Sequence, residues 1–245
     1  TTLYNKYLWS DGFLLSTGSL TDRPLTKLWN FANDTARDVM IDTISSIIST
    51  NKITWYRQDF NIEPEIYWEH ADEPYRVGMT EIQYITNLYD YLDALVEKNP
   101  GLMIDNCASG GRRLDLEMMR RSVPLWRSDI TTNQSHGSTP DNVRTLAYNL
   151  SWWLPLHGGG YPSYNSNNTS LLYDMRSHFT GAQLRPSYED ETVISQVIEE
   201  YFSYKDLLTE EYHILACGAN EDIETVNSAY EYYCAQESRG FVMTF

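Results

Sequence analysis

From Asn33 to Ser49 apolar residues recur every three or four positions, with Ile41, Ile44, Ile47 and Ile48 on one stripe. Asn33 or Asp34 stands where an N-cap belongs, so the spacing predicts a helix. Ile53–Phe60 is rich in β-branched and aromatic residues and closes at Asn61 and Pro64, as a strand ending in a loop does. A second helical stripe, Ile82, Ile85, Leu88, Leu92 and Leu95, runs through Thr80–Glu97 and stops before Asn99-Pro100-Gly101. The alternation continues with a strand at Leu102–Cys107, a glycine turn, a helix around Leu114–Arg121, a strand at Leu125–Ile130 and a helix at Asp141–Trp153. A short helix near Leu171–His178, a strand near Ala182–Arg185 and a helix near Thr192–Asp206 extend it.

Strands alternating with helices at this pitch mean βα units on a parallel sheet. Short strands that each end in a polar loop, without a glycine-rich dinucleotide turn, favour a barrel over an open sheet. About five units are legible where a closed barrel needs eight. The expectation is therefore an α/β chain: a (β/α)8 TIM-type barrel incomplete at its N-terminal side (1–208), followed by the beginning of a C-terminal β-sandwich domain (209–245). His213–Gly218 and Gly240–Phe245 are the strands expected in that last part.

Composition narrows the chemistry. Thirty-four acidic against 18 basic residues give a net charge of -16 in 245 residues, the wrong sign for nucleic acid or an anionic membrane face. No apolar run reaches the ~18–20 residues of a membrane span, so a soluble protein is expected. The chain opens without Met and without a secretory pattern, as if a leader had been removed or the chain began mid-protein. The sequons at Asn33, Asn133, Asn149, Asn167 and Asn168 leave a cytoplasmic or a secreted home equally open. Cys107, Cys217 and Cys234 form no C-x-x-C pair, and His70, His136, His157, His178 and His213 show no ligand spacing, so neither a metal nor another cofactor is expected. Nineteen Tyr and 7 Trp read first as core filler and second as surfaces for sugars. Trp152 and Trp153 close a helix, one expected in the core and one at a rim. His157-Gly-Gly-Gly160 is like the oxyanion loop of esterases, yet no Gly-x-Ser-x-Gly elbow accompanies it.

Active groups of a parallel barrel lie at the C-terminal ends of its strands. Three successive predicted strands end in Asp59 (Tyr56-Arg-Gln-Asp-Phe-Asn61), Cys107 (Asp105-Asn-Cys-Ala-Ser-Gly-Gly-Arg-Arg-Leu-Asp115) and Asp129 (Trp126-Arg-Ser-Asp129). Two carboxylates on one rim are what glycosidic cleavage requires, one to attack the anomeric carbon and one to protonate the leaving oxygen. Taken singly, either Asp could equally cap a helix or pair with an arginine. Residues i and i+2 of a strand share a face, which sets Arg57 beside Asp59. Arg127 has the same spacing to Asp129, where a cation would oppose an acid's role, so it either turns away or pairs elsewhere. Asp105 and Asp115 read as groups that orient neighbours or cap a helix.

The string Asp105-Asn-Cys-Ala-Ser-Gly-Gly-Arg-Arg-Leu-Asp115, between Arg57-Gln-Asp59 and Ser128-Asp129, resembles the retaining α-galactosidases of glycoside hydrolase family 36 over roughly residues 30–210. The resemblance implies a metal-free (β/α)8 barrel between a large β domain and a smaller one, acting on α-galactosides, and it hints at a homo-oligomer. It implies that Asp59 is the nucleophile and Asp129 the acid that then turns base. It further implies that Arg57 and Asn61 hold sugar hydroxyls and that Cys107 and Gly110 contact the 2-hydroxyl. Arg57-Gln-Asp59 stands where the family has Lys-Trp-Asp, and Ser128-Asp-Ile-Thr-Thr-Asn133 where it has Ser-Asp-Asn-x-Asp-Ala. These departures point to a divergent subgroup, with α-N-acetylgalactosaminidase the alternative activity. The family's Asp and Trp residues for the 4- and 6-hydroxyls, from early barrel strands, have no match. A reading from another class is a catalytically silent fragment or sugar-binding remnant, since a five-stranded piece leaves two sheet edges open.

Overall fold

The computed structural model describes residues 12–18, 27–129, 140–159, 173, 176–177, 191–216 and 228–245, the side chains of 140, 141 and 191–194 excepted. These residues group into two compact units: the part up to Asp105 together with Asp115–Ser122, and Asn106–Leu114 together with the part from Val123 onward.

In the first unit β1 (Leu14–Leu15) pairs antiparallel with β2 (Leu28–Trp29) and leads to helix α1 (Asp34–Asn51). The Asn33 side chain accepts the Ala36 N–H at 3.1 Å, and Lys52 at φ 53° closes the helix with a left-handed cap. Strand β3 (Trp55–Gln58) follows, then α2 (Glu65–Ala71), α3 (Met79–Lys98) and β4 (Met103–Asn106), which pairs with β3. The single turn α4 (Leu116–Met119) is capped by Asp115, whose carboxylate accepts the Met118 N–H at 2.9 Å. Helix α1 packs on α3 through Ile41 and Ile48, against Tyr84, Leu88, Tyr91, Leu92 and Leu95. Ile47 and Ile82, at the edges of the two stripes, lie on the surface. Asn87 is buried between these helices, donating to the Phe31 carbonyl at 2.7 Å and to Asp34 at 2.9 Å, so a polar group in the core is fully engaged.

The second unit carries α5 (Pro140–Leu150), α6 (Glu191–Tyr204) with a 3-10 turn at Lys205–Thr209, and a sheet of β5 (Glu211–Ala216), β6 (Ala229–Cys234) and β7 (Arg239–Thr244). The sheet is antiparallel with β6 central. Alternation along β6 buries Tyr230, Tyr232 and Cys234 against Tyr148, Val197, Tyr204, Leu207 and Leu208. The tyrosines are core filler here, Tyr232 stacking on Phe241 with ring centroids 5.3 Å apart.

Several expectations are corrected. The described part of the predicted strand Leu125–Ile130, residues 125–129, is not a strand; among its backbone bonds, the Gly158 carbonyl accepts the Arg127 N–H, and the Gly158 N–H donates to the Pro124 carbonyl just before it. The helix around Leu114–Arg121 shrinks to α4. Helix α2 and strand β6 went unread, the first because it follows Pro64 within a polar loop, the second because Glu231 and its tyrosines look amphipathic in either period. Trp152 and Trp153 are both exposed, 67% and 43%, because the helix ends at Leu150 before either can turn inward. The predicted strand near Ala182–Arg185 lies outside the described residues, as does all of Leu171–His178 except the helical positions 173, 176 and 177. Among the described residues no helix is long and apolar enough to cross a membrane, and no group of three or more His, Cys, Asp or Glu could hold a metal ion.

Candidate active site

In the first unit, β3 exposes Trp55 and Arg57 on one face, and the chain leaves the strand at Asp59 on the same side. The Arg57 guanidinium lies between two carboxylates, with Nη1 2.5 Å from Asp105 Oδ2 and Nη2 4.0 Å from Asp59 Oδ2. Asp105, near the end of β4, has a side chain only 5% exposed, whereas those of Arg57 and Asp59 are 39% and 42% exposed. The buried carboxylate thus anchors the cation, and the cation faces the open carboxylate. Asp59 Oδ1 also accepts its neighbour's N–H, from Phe60 at 2.8 Å, which orients the carboxylate. Asn61 sits on the exposed loop beyond. On the opposite face of β3, Tyr56 is hydrogen-bonded to Tyr91 at 2.9 Å, and burial pushes both phenols up. The Arg57–Asp105 partnership fits the orienting role expected of Asp105, but the specific partner was not readable, because pairing of β3 with β4 decides it.

In the second unit, the turn after β4 is built on left-handed backbone at Ser109 (φ 44°) and Gly110 (φ 82°). Cys107 is buried in it, its sulfur 4.0 Å from the Gly110 carbonyl. A Cβ on Gly110 would fall 2.9 Å from the Asp129 nitrogen, and one on Gly111 would fall 2.6 Å from the Arg127 carbonyl oxygen. The glycine pair therefore does more than turn the chain: it lets the backbone of Arg127–Asp129 lie close against the turn at Gly110 and Gly111. The Asp129 carboxylate is exposed and accepts the Trp126 indole N–H at 2.8 Å.

Arg127 points the other way. It is 1% exposed, with Nη1 3.0 Å from His157 Nδ1, and His157 Nε2 is 3.0 Å from Ser151 Oγ. Ser151 donates in turn to the Ala147 carbonyl at 2.9 Å, so the imidazole accepts from Arg127 and donates to Ser151. Burial, reinforced by the adjacent Arg127 cation, holds the His157 pKa well below its ordinary value, and burial lowers that of Arg127 to about 10. Of the sequence-predicted residues, the first unit thus places Arg57 against Asp59, and the second places Cys107 beside Gly110 and Gly110 against the Asp129 backbone.

The melibiase family model matches residues 18–138, just under half of the chain, a stretch that includes Arg57, Asp59, Asn61, Cys107, Gly110 and Asp129. The bifunctional α-galactosidase/sucrose kinase AgaSK of Mediterraneibacter gnavus is 24% identical over 197 residues, 75% of this chain and 19% of that protein. The α-galactosidase AgaA of Geobacillus stearothermophilus is 28% identical over 102 residues, 42% of this chain and 14% of that protein. Among solved structures, the GH36 α-galactosidase AgaA superposes with a TM-score of 0.77 at 19% identity, and the α-galactosidase of Lactobacillus brevis with 0.79 at 18%. Each superposition covers 100% of this chain but only 34% and 33% of the solved one, so the chain spans about a third of those proteins and takes the fold of that third. The structural neighbours are TIM-barrel enzymes. The melibiase match over residues 18–138 and the shared fold make the chain similar to the α-galactosidases of glycoside hydrolase family 36.

Proposed function

We propose that the chain supplies the catalytic carboxylates of a retaining exo-acting α-galactosidase. The observation that carries the reading is the unlike setting of the two aspartates within one melibiase-matching stretch: Asp59 faces the Arg57 guanidinium, and Asp129 faces solvent beside an indole N–H. A nucleophile attacks as a carboxylate, and the Arg57 guanidinium lies 4.0 Å from the Asp59 carboxylate. In the proposed first step Asp59 attacks the anomeric carbon while the Asp129 proton passes to the departing glycosidic oxygen. In the second, Asp129 takes a proton from water, the water oxygen attacks the anomeric carbon, and the bond to Asp59 breaks with its electron pair. Configuration is retained, and no cofactor takes part.

Arg57 and Asn61 are proposed to hold sugar hydroxyls, and Cys107 with Gly110 to form the floor under the 2-position. Variants of the similar AgaA have been solved with raffinose and stachyose, which suggests α-galactosides of that kind as substrates. In the proposed domain plan residues 1–208 belong to the catalytic barrel and 209–245 begin a β domain, the antiparallel sheet β5–β7 being consistent with the latter.

The test is turnover of 4-nitrophenyl α-galactoside and of its 2-acetamido counterpart by the full-length protein, with proton NMR of the first sugar released. α-Galactose appearing before mutarotation is expected. Preference for the 2-acetamido substrate would move the assignment to α-N-acetylgalactosaminidase, a β-anomer product would exclude retention, and no turnover of either would defeat the enzyme reading.

A further inference from the structure

His157-Gly158-Gly159, which has no place in the two-carboxylate chemistry, lies wholly around Arg127. The His157 ring accepts from the guanidinium, and the Gly158 carbonyl accepts the Arg127 backbone N–H at 2.9 Å. Gly159 leaves the room the guanidinium occupies, since a Cβ there would fall 2.9 Å from Arg127 Nη2. Three consecutive residues thus receive one arginine by ring, by backbone and by absence of a side chain. On the far side Ser151 ties the ring to the last turn of α5 through the Ala147 carbonyl. Every member of this chain of contacts is buried: Arg127 at 1%, His157 at 0%, Ser151 at 5% and Ala147 at 1% exposed. The residue it immobilises stands two positions before Asp129, in a segment that is not a strand over residues 125–129.

We propose that Arg127, His157 and Ser151 are positioning residues for the acid/base Asp129, a buried latch that sets where that carboxylate stands. The proposal rests on the reading of Asp129 as acid/base. Fixing both the backbone and the side chain of Arg127 leaves the short link to Asp129 little freedom, and the Trp126 N–H sets the carboxylate's rotation. Displacements near 1 Å are enough to cost proton transfer, on the order of 10²-fold.

The experiment exploits leaving groups. An aryl or sugar aglycone needs a proton from the acid in the first step, whereas α-galactosyl fluoride does not. In the full-length protein, His157→Leu should lower kcat on the aryl galactoside and on raffinose by roughly 10- to 100-fold, with KM changed less than about twofold and glycosylation by the fluoride nearly unchanged. His157→Asn, which returns an acceptor near the Nδ1 position, should recover most of that loss. Ser151→Ala should show the same leaving-group dependence at smaller amplitude, and it decides the matter if His157→Leu does not fold. Equal losses on all leaving groups, or none, would overturn the proposal. Asp129→Asn must itself show the leaving-group dependence; if it does not, the acid/base reading falls, and the positioning role with it, whatever His157 does.

Discussion

Two arginines in this chain each precede a candidate catalytic aspartate by two residues, and the fold treats them in opposite ways. Arg57 lies on an open strand face, 39% exposed, between Asp59 and Asp105. Arg127 is 1% exposed and turned from Asp129 into a pocket made by His157 and Gly159. A spacing of two puts side chains on one face only where the backbone is a strand, and 55–58 is one while 125–129 is not. The difference suits the proposed division of labour, an open guanidinium beside the nucleophile and a buried one held by His157 near the acid.

The comparison can be broken by mutation, beginning with the largest effect. Asp59→Asn should lower kcat on an aryl α-galactoside by about 10³-fold or more with the fold intact by circular dichroism; an active variant would remove the nucleophile from the scheme. Next, Arg127→Ala should cost about 3 kcal/mol in urea unfolding, because a large, wholly buried side chain and the partner of His157 are lost together. Arg57→Ala should cost less, about 1–2 kcal/mol, since the half-open arginine gives up little packing and the main loss is the partner of the buried Asp105, while kcat/KM drops at least about tenfold. Should both variants lose stability equally, the contrast between open and buried arginine would be false.

Gly110→Ala ranks third: left-handed backbone and a Cβ 2.9 Å from the Asp129 nitrogen should together destabilise by about 2 kcal/mol. The smallest effect is a pH slope. The pKa of His157 is lowered in the native state, so below its ordinary value near 6.5 the unfolded chain binds a proton that the folded one refuses. Its contribution to stability therefore rises with pH and is lost as pH falls through 6.5, with a slope of up to ~1.4 kcal/mol per unit. Unfolding midpoints of the wild type and His157→Asn between pH 5 and 7 should diverge accordingly, and parallel curves would mean the histidine is not buried neutral.

How much of this was legible follows residue by residue. The stripes of α1 and α3, the Asn33 cap and the Asp115 cap were readable because each is set by contacts within a few positions. Asp59, Cys107, Gly110 and Asp129 were singled out by their place at predicted strand ends and by the Asn106–Gly111 string. The second glycine of that string looked like turn chemistry alone, yet it serves the close approach of Arg127's carbonyl, which no local pattern announces. His157 was set aside for want of a serine elbow; its partner is 30 residues away, and only folding reveals it.

By itself, then, the sequence carried what periodicity, caps and a short motif can: the helices α1 and α3, part of their alternation with strands, the likeness to a family and two candidate carboxylates. Those depend on neighbours within a turn or two of chain. Tertiary structure alone decided which charges meet. Arg57 found Asp105 because β3 and β4 pair, and Arg127 found His157 because Gly158 and Gly159 leave backbone bonds and space for it. Side-chain direction at a site depends on long-range pairing, and that is the part of the energy a linear reading does not contain.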